Sequence, residues 1–343
     1  MSALLPILRD LIASEGPISV ARYMDIALQH PQHGYYRRHD PLGARGDFIT
    51  APEISQIFGE LIGLWCAEAW RGMGKPQSFI LLELGPGRGT LMQDALRATV
   101  KIAGFHRALK LWLLESNDTL RQTQREKLAA YDPVHVTDLA QVPPLPLILV
   151  ANEFFDALPI QQFLLTEKGL RERLVGLVDD GIGFVDAAVN AAAITEISPL
   201  ALSFMRQIAL HVAQHRGAGL IVDYGYAAPV GSSTLQAVRR HGRADVFAEP
   251  GEADLTALVD FTALAATIAR QGLHVAGPMG QGAFLQAMGI ELRAAQLKHK
   301  ATSQQAAALD SGVTRLTDPS QMGNLFKVLG FTHNAGEELA GFP

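Results

Sequence analysis

The sequence predicts an α/β protein built on a mostly parallel, doubly wound sheet. Three observations predict it. Apolar strand-like runs alternate with helical patterns from Phe79 to Gly272, which implies a sheet covered on both faces. With 343 residues, 48% hydrophobic and 18% charged, the chain can bury the core such a sheet needs. The first strand then runs straight into a glycine turn, "FILLELGPGRGTL" at 79–91, an entry that lets a nucleotide approach bare backbone.

About three helical segments and a loop precede that strand. Thr50-x-x-Glu53 reads as a capping box with Pro52 in its first turn. Ile54, Ile57, Phe58, Leu61, Ile62 and Trp65 fall on one face of the helix it would start. Gly46-Asp47-Phe48, just ahead, read as a loop folded toward a crevice. After the strand "SFILLELG" comes a helix, "TLMQDALRATVKIAG", stopped at Gly104. "LKLWLLES" (109–116) is a second strand and Asn117 to Ala130 a polar helix. "VHVTDL" (134–139) and "PLILVANEFF" (146–155) follow as third and fourth strands. "AGLIVDYGY" (218–226) is another strand, and "FTALAATIARQG" a helix ending at Gly272. Between Pro159 and His215 a strand-like meander turns at Gly169 and Asp180-Gly181 and ends in a helix. The tail from Ala283 reads as helical. The expected division is a helical N-terminal cap (1–75), a core (76–282, insertion about 160–215) and a C-terminal helical extension (283–343).

The net charge of −5 argues against a nucleic-acid partner, although local basic runs such as "VRRHGR" (238–243) exist. Cys66 is the sole cysteine, so neither a disulfide framework nor a cysteine zinc cluster is possible within the chain. No segment reaches the roughly 18 apolar residues of a membrane span, and "MSALLPILRDLIASEG" lacks a basic start and cleavage site. The expectation is a soluble, cytoplasmic protein without membrane insertion. His30, His33 and His39 cluster, as do His211 and His215, but no cysteine or fixed acid accompanies them, so no metal is expected.

In the turn itself Gly85, Gly87 and Gly89 alternate, and Thr90 stands where a dinucleotide fingerprint would want its third glycine. No Gly-Lys-Ser/Thr follows, which excludes a phosphate-binding P-loop. Pro86 stiffens the turn and Glu83 precedes it. A carboxylate there repels phosphate and suits a cationic amino-acid moiety, so S-adenosylmethionine, with its sulfonium and amino acid, fits better than a dinucleotide. Glu115-Ser116 ends the second strand, where a carboxylate can accept from both ribose hydroxyls. Asp138 after the third strand is placed to meet an adenine amino group. The ordered set is that of a Rossmann-like methyltransferase. A plainer reading also stands, in which the turn only lets a helix pack close to a strand.

"VANEFFDALP" (150–159) closes the fourth strand, so Asn152, Glu153 and Asp156 face the position of a transferable methyl group. An arginine acceptor keeps its proton in water near neutrality. Two carboxylates, Glu153 and Asp156, could hold the guanidinium by forked hydrogen bonds and draw charge from the attacking nitrogen. Alternatively, Asn152 or Asp156 caps the following turn and Glu153 lies on a solvated rim. Glu252 or Asp254 in "EPGEAD" (249–254) could touch a cationic substrate.

"GYY", "GDFITAPEISQIFGELIGLW", "LLELGPGRGTL", "ANEFFDALP", "IVDYGY" and "PGEADLTALVDF", spread from Gly34 to Phe261, resemble the blocks of one family. It is the methyltransferase family of the mitochondrial complex I assembly arginine methyltransferase and its bacterial relatives. The resemblance implies a class I fold, S-adenosyl-L-methionine as cofactor, and symmetric dimethylation of an arginine in a respiratory-complex subunit. By position it places Gly85, Gly87 and Gly89 around the methionine part, Glu115 on the ribose, and Asn152, Glu153 and Asp156 at the transfer site. Asp47 and Thr50 would close the site from the N-terminal side, and Asp223-Tyr224 from strand five. A methyltransferase for another acceptor, and an assembly factor that binds the cofactor without transfer, remain the alternatives.

Overall fold

The computed structural model describes residues 2–38, 50–179, 181–185, 191–239, 242–334, 336 and 338–343. The chain divides into two compact units, one of Met1–Phe48, Phe155–Ser203 and Tyr226–Asp260, the other of Ile49–Phe154, Phe204–Gly225 and Phe261–Pro343.

The second unit holds the expected sheet. The main path of that sheet runs through β1 (Phe79–Leu84), β2 (Leu109–Leu114), β3 (Val134–Val136), β4 (Leu147–Asn152), β5 (Gly217–Tyr226), β6 (His274–Gly280) and β7 (Phe326–Thr332). They lie in the order β6–β7–β5–β4–β1–β2–β3. β1 to β5 are parallel to their neighbours among one another, whereas β7 runs antiparallel to both β5 and β6. All six residues of β1, FILLEL, and all six of β4, LILVAN, are buried, as strands covered on both faces must be.

Helices α1 (Ala51–Ile54), α2 (Gln56–Gly72), α3 (Thr90–Thr99), α4 (Asp118–Lys127) and α5 (Phe261–Ala269) belong to this unit. Here the expected capping box is corrected. The Thr50 side chain caps nothing, and the helix breaks at Ser55, whose extended backbone (φ −154°, ψ 130°) makes it the cap of a new helix, accepting from the Ile57 amide at 3.3 Å. Two candidate caps, Thr50 and Ser55, compete, and the tertiary bond to Glu53 described below decides between them. α2 approaches α3 through Gly59 and Gly63; a Cβ on Gly63 would lie 2.4 Å from the Ala95 carbonyl oxygen. At the same contact the Glu60 carboxylate, 1% exposed, is held by Arg97 at 2.9 Å and by Arg293 at 2.7 Å.

The tail departs from expectation too. It supplies the helices Ile290–Lys298 and Ser303–Thr317, but then β7, which inserts between β5 and β6. "FKVLGFT" is short and carries no period-2 alternation because almost every residue is buried, so its pattern did not mark it as a strand. The Phe331 ring fills the space that a Cβ on Gly219 of β5 would need, at 2.2 Å. Between β3 and β4 the crossover has only a three-residue 3₁₀ turn, Leu139–Gln141. A cavity of about 310 Å³ lies near it, lined by Leu82, Leu139, Leu147, Ile208 and His211; none of the candidate site residues lines it.

The first unit packs the helices Leu4–Glu15 and Val20–Gln29 with three small antiparallel sheets. The strands of those sheets are Ile18–Ser19, Leu174–Val178 and Gly181–Phe184; Ala193–Ile197, Gln161–Thr166 and Gly169–Glu172; and Gly242–Ala244, Gln236–Arg239 and Asp254–Thr256. Leu4, Leu8, Tyr23, Met24, Val175 and Leu255 share one core. The N-terminal helices therefore belong with the 160–198 meander, not with the helix at 56–72, because their apolar faces are buried against its strands.

Candidate functional site

The strand order reverses between β1 and β4, since β2 and β3 lie to one side and β5 to the other. In doubly wound sheets a ligand sits at the carboxyl ends of the strands at that point. The residues that follow β1 and β4 are the glycine turn and Glu153.

The turn is built by backbone conformation. Gly85, Gly87 and Gly89 have φ of 60°, 52° and 73°, the left-handed region that side chains disfavour. The Gly85 amide donates to the Leu114 carbonyl at 3.0 Å and the Gly89 amide to the Pro86 carbonyl at 2.8 Å. A Cβ on Gly85 would stand 3.0 Å from the Phe154 ring, which itself packs edge-on against Phe204 at 5.4 Å. Pro86 is buried and Gly85 exposed, so the turn presents bare backbone outward. Thr90 opens α3; its hydroxyl donates to Glu53 Oε1 at 2.7 Å and accepts from Lys127 Nζ at 3.0 Å. That bond is what diverts Glu53 from the capping box.

Two buried acids stand behind the turn. Glu83 is 3% exposed, and its Oε2 has no hydrogen-bond partner among the described residues. Burial, and then the neighbouring Glu115 charge, pushes its carboxyl up to about 8. Burial raises Glu115 as well, against the pull of the Asn117 amide (2.8 Å), Gln124 Nε2 (3.4 Å) and the Ser116 amide. Ser116 itself is exposed. Asp138 is exposed and N-caps the 3₁₀ turn, its Oδ1 accepting from the Ala140 amide at 2.9 Å, so the structure does not bring it into the buried acid pair.

At the end of β4, Glu153 is held at φ 51°, a left-handed conformation rare for a side-chain-bearing residue. Its amide donates to the Val222 carbonyl at 2.9 Å, while its Oε1 accepts from the Ala51 amide at 3.2 Å and from Asn152 Nδ2 at 3.1 Å. Glu153 is thus no solvated rim residue; its carboxylate binds the start of α1. Asn152 Oδ1 is buried with no partner among the described residues. Asp223 is fully buried and accepts from the Phe154 amide (3.2 Å) and the Tyr224 amide (2.9 Å), which steadies the turn after β4. Tyr224 packs on Phe326 at 5.6 Å. Thr50 engages through its carbonyl, which accepts from the Glu53 amide at 2.9 Å. Asp47 lies outside the described residues.

The remaining acids belong to the first unit. Asp254 Oδ1 accepts from the Tyr36 hydroxyl at 2.9 Å, and burial with the charges of Asp254 and Asp156 raises the Tyr36 phenol well above its ordinary value. The Asp156 carbonyl accepts from the Ala257 amide at 3.0 Å. Tyr36 lies in the "GYY" block, but sequence alone gave it no role; nothing in its spacing points at Asp254, 218 residues away. Gln124 and Lys127 likewise have no role from sequence alone, and Glu53 is read there only as the end of a capping box. Of the histidines, His30 stacks on His33 at 5.3 Å and His211 bonds the Leu145 carbonyl at 2.9 Å. Among the described residues no group of three or more histidine, cysteine or acidic side chains is placed to hold a metal ion.

Two buried acceptors without donors among the described residues, Glu83 Oε2 and Asn152 Oδ1, together with a turn of left-handed glycines, fit a ligand that brings donors and positive charge. They do not fit a diphosphate. Residues 61–279 match the family described as "Putative S-adenosyl-L-methionine-dependent methyltransferase". The chain is 37% identical to the Drosophila melanogaster protein named "Protein arginine methyltransferase NDUFAF7 homolog, mitochondrial", over 94% of this chain and 83% of that protein. It is 37% identical to "Protein arginine methyltransferase NDUFAF7, mitochondrial" of Homo sapiens, over 94% of this chain and 82% of that one. A crystal structure from Burkholderia thailandensis bound to S-adenosyl-homocysteine superposes with a TM-score of 0.84 at 28% identity, covering 99% of this chain and 94% of that one. These names overturn the cytoplasmic expectation, since the relatives named for a compartment are mitochondrial. Among the described residues no helix is long and apolar enough to cross a membrane.

Proposed function

Because this chain belongs to the S-adenosyl-L-methionine-dependent methyltransferase family, we propose that it methylates an arginine of a protein, with symmetric dimethylation of a respiratory complex I type subunit as its task. The observation that carries the choice of acceptor is the identity of 37% to proteins named as protein arginine methyltransferases, across 94% of the chain. The cofactor choice rests on Glu83, a buried carboxylate with an open oxygen beside the glycine turn.

S-adenosyl-L-methionine supplies a methyl group on a cationic sulfur that leaves as a neutral thioether. This chain's residues do the rest. Glu83, once ionised, offsets the positive charge of the methionine part. Gly85, Pro86, Gly87 and Gly89 admit it against bare backbone, and Glu115 accepts from the ribose hydroxyls. Asn152 Oδ1 offers one more acceptor. Glu153 acts as a positioning residue, because its Oε1 ties the turn after β4 to the Ala51 amide. The guanidinium of the acceptor needs anionic partners that also take the proton it sheds on methylation. Asp156 and Asp254, whose charges both raise the Tyr36 phenol, are the acids we assign to that role.

The test is incubation of the purified chain and its Asp254→Asn variant with tritiated cofactor and a respiratory-chain subunit preparation. Label on arginine with the parent chain, and at least tenfold less with the variant at equal product binding, is the expected result. Label on another side chain would overturn the choice of acceptor.

A further inference from the structure

One side chain joins four elements of the cofactor-facing unit and has no part in the reading above. Gln124, on α4, is fully buried. Its Nε2 donates to the Gly87 carbonyl at 2.6 Å and to Glu115 Oε2 at 3.4 Å. Its Oε1 lies 2.9 Å from His135 Nε2 on β3. The assignment of the amide is forced by chemistry. A carbonyl and a carboxylate can only accept, so both protons of the amide nitrogen are used, and the amide oxygen can only receive a proton carried by His135 Nε2. Every polar atom of the side chain is thereby spent, and no freedom is left for the amide to turn over.

Gln124 thereby joins two parts of the site. Gly87 belongs to the turn after β1, and Glu115 follows β2. The same α4 face also carries Lys127, which donates to Thr90 at 3.0 Å, and the C-cap Leu128 follows it, its Cδ1 3.3 Å from where a Cβ on Gly89 would lie. α4 and its C-cap therefore back the turn at Gly87, Gly89 and Thr90, and Gln124 bonds both the turn and Glu115.

We propose that Gln124, anchored by His135, is a positioning residue for the cofactor: it fixes the Gly87 carbonyl and the Glu115 carboxylate in one mutual geometry, so that the methionine end and the ribose end of the cofactor are received together. The proposal rests on the family's cofactor occupying this turn. Loss of a hydrogen bond to a buried carboxylate, with the Gly87 carbonyl orphaned as well, corresponds to a tenfold or larger loss of affinity, to order of magnitude.

The experiment is calorimetric titration of the full chain with S-adenosyl-homocysteine, for the parent, Gln124→Met, His135→Leu and His135→Gln. Binding by the parent tests the cofactor assignment by itself; its failure would sink that assignment and leave the role of Gln124 a matter of folding only, which also overturns the proposal. With the parent binding, Gln124→Met is expected to weaken binding about tenfold or more and to raise KM for the methyl donor with kcat at saturation within a factor of about three. A role confined to stability would leave both constants in place and lower only Tm. His135 is part-exposed, so its variants are expected to fold. His135→Leu should weaken binding severalfold, and His135→Gln, which restores a donor to Gln124 Oε1, should recover it. Unchanged binding in Gln124→Met overturns the proposal. Should that variant not fold, equal binding by His135→Leu and His135→Gln overturns it instead.

Discussion

Glu83→Gln should make the empty protein more stable and the cofactor-binding protein worse. Burial and the adjacent Glu115 hold the Glu83 carboxyl at about 8 in the folded chain, against an ordinary value of 4.5. The folded state therefore keeps a proton that the unfolded state releases above pH 4.5, and stability falls as pH rises through this window until the folded value is passed. One pKa unit corresponds to about 1.4 kcal/mol, so the full gap amounts to about 5 kcal/mol. Between pH 6 and pH 8 the parent should lose about 2 kcal/mol of stability through this one group. Glutamine carries no proton to lose, so Glu83→Gln should show none of that slope, and its stability advantage should grow by about 2 kcal/mol over the same interval. Chemical denaturation of both proteins at the two pH values, without ligand, measures the difference directly. In the same samples the parent's affinity for S-adenosyl-homocysteine should rise with pH as Glu83 ionises, whereas the variant's should be weak throughout. A variant advantage that is the same at both pH values would refute the reasoning, because it would mean that Glu83 is ionised in the empty fold already.

Gly85→Ala should cost about 1–2 kcal/mol of stability and most of the product binding, since φ is 60° and the added Cβ meets the Phe154 ring at 3.0 Å; melting and calorimetric titration read both. Glu60→Ala should destabilise by about 1–3 kcal/mol, because it removes the buried carboxylate shared by Arg97 and Arg293, while KM for the methyl donor stays unchanged in steady-state assays. Tyr36→Phe takes the hydroxyl from Asp254; it should raise KM for the protein acceptor severalfold and leave S-adenosyl-homocysteine affinity intact.

Much of the sheet was legible because its strands speak twice, once in an apolar run and again in the turn that ends it. "FILLEL" and "LILVAN" are buried on both faces and bounded by glycine or by helix starts, so their place follows from local pattern. β7 was not legible, since "FKVLGFT" follows a run of helices and its partners, β5 and β6, are chosen by long-range pairing that no local rule encodes. The break at Ser55 failed for a related reason. Thr50-x-x-Glu53 satisfies every local condition for a capping box, but the Glu53 carboxylate gains more from the Thr90 hydroxyl at 2.7 Å. In the site, Glu83, Glu115, Asn152 and the three glycines could be named because each sits at a strand end. The partner that ties two of them together could not: Gln124 reaches Gly87 and Glu115 across folded space, and helix periodicity treats it as an ordinary member of a face.

The most direct trial of the central claim is mass mapping of the methyl group itself. The chain would be supplied with deuterated S-adenosyl-L-methionine and purified respiratory complex I type subunits, and the product digested and sequenced. Two heavy methyl groups, one on each terminal nitrogen of a single arginine, is the predicted outcome. Heavy methyl found only on a small molecule or on a lysine, histidine or carboxyl side chain would contradict it.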